Sequence, residues 1–160
     1  MRIVAIDVGQ KRTGVAVGDT FTRIVSPREV IEIDAGAGGG KSGGEGAGEA
    51  LLKRLVAIID EERPARVVIG LPLNMDGTEG PPAKSMRVFA QRLAPRLPSG
   101  TEVVLHDERL SSADADWQMA GSGLTHKQKK MRRDALAAAS ILRGYLDSLV
   151  SSPSRDVSED

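Results

Sequence analysis

Residues 3–8 read Ile-Val-Ala-Ile-Asp-Val, nearly all apolar and rich in β-branched side chains. A run without in/out alternation predicts a central strand covered on both faces. Gly9 and Gly14 bracket the polar turn QKRT, and residues 15–17 resume the strand pattern, so the unit is a hairpin. Residues 22–25 and 30–33 read as short strand pieces interrupted by Ser26 and Pro27, which predicts an edge strand or a bend. Residues 35–49, AGAGGGKSGGEGAGE, predict a mobile loop. The GKS at 40–42 does not complete a Walker phosphate loop, because the first glycine of that pattern falls on Ala35.

Residues 49–62 carry Leu51, Leu52, Leu55, Val56 and Ile59 at helical spacing and are stopped by Pro64. RVVIGL at 66–71 is a second buried strand, followed by the loop PLNMDGTEGPP. A helix is predicted over 83–97, with Met86, Phe89, Ala90, Leu93 and Leu97 on one side, and a strand over 102–106. Ser111 and Asp114 form a capping box for a short helix through Met119, ended by Gly121 and Gly123. The last helix is predicted over 134–149, with Ala138, Ile141, Leu142, Tyr145 and Leu149 as its buried stripe, and residues 151–160 form a polar, flexible tail. Strands paired first as a hairpin and then separated by helices predict an α/β sandwich with a mixed sheet.

At 160 residues the chain is of single-domain length, with the domain expected over 1–150. Cysteine is absent, which removes thiol nucleophiles and thiolate metal sites and agrees with a reducing compartment. No apolar run approaches membrane-spanning length and no leader precedes the first strand, so a cytoplasmic protein is expected. Formal net charge is zero, which argues against coating nucleic acid with the whole surface but permits a local basic patch. Aromatic residues are few (Phe21, Phe89, Trp117, Tyr145), so a base-stacking platform is not expected.

Three carboxylates fall at the ends of regular elements. Asp7 closes the first strand, Glu108 lies just past VVLH, and Asp134 begins the last helix, one turn before its buried stripe. Asp7 and Glu108 share a rim if their strands are neighbours. Each has an ordinary alternative: Asp134 as a helix-start acid, Glu108 paired with Arg109, Asp7 capping its own turn. Clustered together they repel, and a divalent cation relieves that; oxygen-only ligation favours magnesium or manganese. Zinc is disfavoured by two histidines and no cysteine. Lys127, Lys129, Lys130, Arg132 and Arg133 lie directly before Asp134 with no acid among them, and Lys11 and Arg12 in the first turn add to them. Such a run is either a solvated face or the phosphate-binding surface beside a metal centre. In the second case the expected chemistry is phosphodiester hydrolysis, one metal activating a water and another, about 4 Å away, stabilising the leaving oxygen.

The stretches AIDVGQKRTGVAVGD (5–19), VVIGLPLNMDGTEGP (67–81), VVLHDERLSSADA (103–115) and KKMRRDALAAASIL (129–142) resemble the YqgF/RuvX family of bacterial nucleases. The resemblance implies an RNase H-like fold, a five-stranded mixed sheet with its first strand central and helices on both faces. It implies Asp7, Glu108 and Asp134 as metal-holding catalytic acids, with Asn74, Asp76 and Arg109 near the site. It further implies a structured nucleic acid as substrate: precursor 16S rRNA, or four-way DNA junctions, whose symmetric cutting needs a homodimer. The chain departs from the family pattern in its longer glycine-rich loop and in Arg133, where relatives carry a small apolar residue. Two other classes remain open on the residues. An actin-like or sugar-kinase-like ATPase lobe shares the hairpin pattern, but this chain has no room for a second lobe. A non-catalytic nucleic-acid or ribosome-associated factor would use the basic run alone, and its binding would survive neutralisation of the acids.

Overall fold

Five strands form one sheet in the order β3-β2-β1-β4-β5, so the apolar first strand is central. The computed structural model describes residues 1–32, 43–110 and 125–151, without the side chains of 43–47, 127–132 and 151. The strands are β1 (Arg2–Val8), β2 (Arg12–Asp19), β3 (Val25–Glu32), β4 (Arg66–Leu71) and β5 (Glu102–Asp107). The helices are α1 (Gly43–Glu62), α2 (Pro81–Leu93) and α3 (His126–Ser151). β1 pairs antiparallel with β2 and parallel with β4, and β4 pairs parallel with β5. The α/β class and the mixed five-stranded sheet follow the sequence expectation.

The two faces of the sheet carry separate cores. Val4, Ile6, Val15, Val67 and Ile69 pack with Leu52, Leu55, Ile58 and Ile59 of α1 and Ala90 and Leu93 of α2. Ile3, Ala5, Ala16 and Val68 pack with Ala138, Ile141, Leu142 and Tyr145 of α3. Adjacent residues of β1 therefore serve opposite layers, which is why its sequence is apolar without alternation. Leu149, read as the end of the buried stripe of α3, is exposed.

β3 is a single strand where two pieces were expected, and the interruption at Ser26 and Pro27 is a β-bulge. Val15 faces Glu29 and Ala16 faces Pro27, so Arg28 is left without a partner across β2. Its guanidinium reaches Glu62 and Glu61 at the end of α1. Proline is accommodated because β3 is an edge strand.

Both long helices begin earlier than their apolar periodicity. α1 starts at Gly43, inside the stretch read as loop, and α3 at His126, about two turns before Asp134. α2 ends at Leu93 and continues as a single 3-10 turn, Ala94–Arg96, where Pro95 interrupts the α-helical bonds. The short helix expected over 111–119, Gly121 and Gly123, the loop over 33–42 and the tail from 152 lie outside the described residues.

Candidate active site

Asp7 ends the row Ile3, Ala5, Asp7 on the face of β1 that meets α3. Directly across the hairpin it is paired with Gly14. A Cβ on Gly14 would lie 2.1 Å from the backbone carbonyl oxygen of Asp134. The missing side chain lets the backbone of α3 rest on β2 at this point, and Asp134 is thereby brought to the rim where Asp7 ends its strand. Asp134 thus reaches the site from the third turn of α3, not from a helix start, so it is not an N-terminal acid satisfying free amides.

Glu108 reaches the same rim by a different route. The strands that carry Asp7 and Glu108 are not neighbours; β4 lies between them. β4 presents Val68 to α3 and, two residues on, Gly70 to the same side. Glu108 opens a 3-10 turn immediately after β5, and its side chain lies across Gly70. A Cβ there would stand 2.7 Å from Glu108 Oε1 and 2.7 Å from Ile141 Cδ1. Over this bare stretch of strand Glu108 makes a side-chain hydrogen bond with Asp7. From sequence Gly14 reads only as the end of a turn, and Gly70 carries a signal of close approach by standing inside the β-branched run RVVIGL.

The pair is electrostatically stressed. Burial pushes the Asp7 carboxyl above its ordinary value; the hydrogen bond from Glu108 offsets part of this, and the charge of Asp134 adds to it. Glu108 is pushed up to about 7, first by burial, then by the charge of Asp7, by its hydrogen bond to Asp7 and by Asp107. The two carboxyls therefore titrate as a pair, and near neutral pH they share one proton between them. A half-buried pair of oxygens sharing one proton is a donor set that suits a hard divalent cation in place of the proton. Among the described residues no three acids or histidines stand close enough to form a complete metal cage, so Asp134 is beside the pair and not joined to it. Magnesium commonly takes one or two carboxylates and completes its shell with water and phosphate oxygens, so the residues fit.

The surrounding residues are more engaged than expected. Arg12 does not project as a free cation: its Nε donates to Glu32 at 3.0 Å and lies 3.9 Å from Asp134. Lys11 is exposed in the β1–β2 turn. Arg109 pairs with Asp107 at 2.7 Å, leaving Glu108 to Asp7, and its Nη1 donates to the backbone carbonyl of Met75 at 3.1 Å. Asn74 and Asp76 are drawn into their own loop, Asn74 donating to Thr78 Oγ1 and Asp76 accepting from the Thr78 amide and hydroxyl. Those bonds hold the Asp76 carboxyl below its usual range. Lys127, Lys129, Lys130 and Arg132 belong to the first turns of α3, and their side chains lie outside the described residues. A shallow groove of about 530 Å³, lined by Asp60, Arg63, Pro64 and Ser99, opens at the N-terminal ends of β4 and β5, away from the acids.

A mixed five-stranded sheet with acids at the rim of its central strand and helices on both faces is the RNase H-like fold. The RuvC resolvase of T. thermophilus, solved in complex with a Holliday junction substrate, superimposes with a TM-score of 0.56 over 94% of this chain and 96% of that one, at 12% identity. A family model described as RuvX: Holliday junction resolvase matches residues 1–148, and the chain belongs to that family. Relatives carrying the name "Putative pre-16S rRNA nuclease" include one from Lactococcus lactis subsp. cremoris (strain MG1363), 39% identical over 91% of this chain and 94% of its own length. Another, from Geobacillus sp. (strain WCH70), is 38% identical over 92% of this chain and 99% of its own length.

Proposed function

We propose that this protein is a divalent-metal-dependent endonuclease that hydrolyses phosphodiester bonds in structured nucleic acid, acting in the cytoplasm on the 5′ end of precursor 16S rRNA. The observation that carries the reading is the meeting of Asp7 and Glu108 at one rim, the Glu108 side chain lying across Gly70 where β4 has no side chain. Folding forces these acids together at the cost of an abnormally high Glu108 pKa, and a cation at that place removes the cost. The names of the relatives supply the substrate class.

Asp7 and Glu108 would hold magnesium or manganese, with Asp134 as the third acid at the rim. When bound, the metal lowers the pKa of a water and neutralises charge on the scissile phosphate. With such an ion held, Asp7 and Glu108 would both be carboxylates, the proton they share having passed to solvent. Asp134, outside the pair, is free to orient a water or accept its proton across the rim. Arg12 holds Asp134 loosely from one side. Lys127, Lys129, Lys130 and Arg132, with Lys11, bind phosphates flanking the cut and fix register without reading bases.

The second reading is resolution of four-way DNA junctions, which the description of the matching family favours. It requires two copies acting symmetrically, whereas a monomer suffices for a ribosomal precursor. One panel at matched concentration separates them: a four-way junction against a precursor spanning the 5′ end of 16S rRNA, in magnesium. A single cut in the precursor supports our reading. Paired symmetric cuts confined to the junction overturn the substrate assignment and keep the nuclease.

A further inference from the structure

The loop after β4 is built around one exposed apolar side chain. Asn74 accepts a bond from the Gly77 amide at 2.9 Å, and the Asn74 amide donates to Thr78 at 2.9 Å, so Met75 and Asp76 form the tip of a tight, closed turn. Gly77, at φ 86°, occupies the left-handed position that ends such a turn. Asp76 is tied back to Thr78, and the Met75 carbonyl is fastened to Arg109, the residue next to Glu108. The Met75 backbone is thus pinned to the element that carries a catalytic acid, while its side chain is 94% exposed.

A single exposed apolar residue needs no explanation by itself. Met75 differs in two respects: it stands at the rim where the acids meet, and its backbone is fixed by a guanidinium that could otherwise have faced solvent or phosphate. Long, flexible and polarisable, methionine is among the side chains that proteins insert between base steps, parting the stack and kinking the strand. The chain has few aromatic residues to perform the same task by stacking.

We infer that Met75, presented by the Arg109-braced turn, is an apolar wedge that enters the base stack of the substrate beside the scissile phosphate. The inference rests on the nuclease reading and gives it a source of selectivity. Continuous duplex resists the wedge because each step must be unstacked, whereas a branch, bulge or helix end is already partly open. Met75 is therefore a positioning residue: it turns the strand so that the phosphate meets the acids, and it takes part in no bond making or breaking.

The test places 2-aminopurine on either side of the cleaved step in both the ribosomal precursor and the four-way junction. Asp7→Asn protein is the binding-only background, and the Met75→Ala, Met75→Ser and Met75→Leu changes are added to it. Binding is followed by anisotropy and unstacking by 2-aminopurine fluorescence. The expected result is a severalfold fluorescence rise on binding, lost in Met75→Ala and Met75→Ser and regained in Met75→Leu, with affinity changed less than about threefold. In the protein with intact acids, Met75→Ala lowers single-turnover cleavage of the stacked substrate about tenfold, and an abasic site at the labelled position restores it. A bound substrate with no fluorescence rise, or a rise that persists in Met75→Ala, overturns the wedge. Failure of the nuclease reading is seen separately, as absence of cleavage by the unaltered protein on either substrate.

Discussion

Gly70 decides whether the two acids can meet, because Glu108 crosses β4 only where β4 has no side chain. In Gly70→Ala the new Cβ would stand 2.7 Å from Glu108 Oε1. Glu108 then swings away from Asp7, and the cleavage rate falls about a hundredfold with substrate affinity retained. Ile141 Cδ1, equally close, must also yield, so unfolding free energy drops by about 1–3 kcal/mol. Parallel rate and binding measurements check this, and a full cleavage rate in Gly70→Ala would remove Gly70 from the account. Glu108 itself makes a prediction in pH. Its ordinary value is 4.5 and its folded value about 7, so between these the unfolded chain has released a proton that the folded protein still holds. Stability in chelator therefore declines as pH rises through that window and levels off above it. Asp7, shifted in the same direction, adds to the decline. Glu108→Gln abolishes its share, gaining about 1–2 kcal/mol at pH 8 after allowance for partial solvent screening, and little at pH 4. Urea unfolding across pH reads it out, and added magnesium should recover stability only in the protein that retains both acids.

The packing of α3 on β2 brings the third acid to the rim, and Gly14 is the contact on which it depends. Gly14→Ala sets a Cβ 2.1 Å from the Asp134 carbonyl, a backbone atom that cannot turn aside. The helix must lift, with a loss of about 2–3 kcal/mol, and cleavage falls with it; thermal unfolding and single-turnover rates check both. How far such elements were legible follows their physics. β1 and β4 were legible because burial on both faces leaves a continuous apolar run. β3 was half legible: Pro27 announced an edge or a bend, and the strand has both, but only pairing reveals that the unmatched residue is Arg28. The first turns of α3 were not legible, since residues 126–133 carry no apolar stripe. Lysine, glutamine, methionine and arginine continue a helix by propensity alone. The candidate site was legible as three acids at the ends of elements and illegible as a geometry. Asp7 and Glu108 meet across an intervening strand, a contact that no sequence spacing encodes, and Arg109 takes Asp107 as its acid partner and not Glu108.

The whole molecule is formally neutral, so attraction to nucleic acid must come from a local surface. Replacing Lys127, Lys129, Lys130 and Arg132 together by glutamine should weaken binding and flatten its dependence on salt, by up to about 0.7–0.9 log units per lost phosphate contact. An unchanged salt slope, measured by anisotropy from low to high salt, would make the run a solvated face. On the proposed function the acids carry the chemistry and the basic run the binding. A non-catalytic factor would need only the second, and an enzyme needs both. The role of the acids is tested most directly by the single-turnover cleavage rate of Asp7→Asn in magnesium, on the substrate that the unaltered protein cuts. Asp7→Asn should fold, bind within about twofold of the original and cleave at least about a hundredfold more slowly. Cleavage by Asp7→Asn at the original rate would contradict that role.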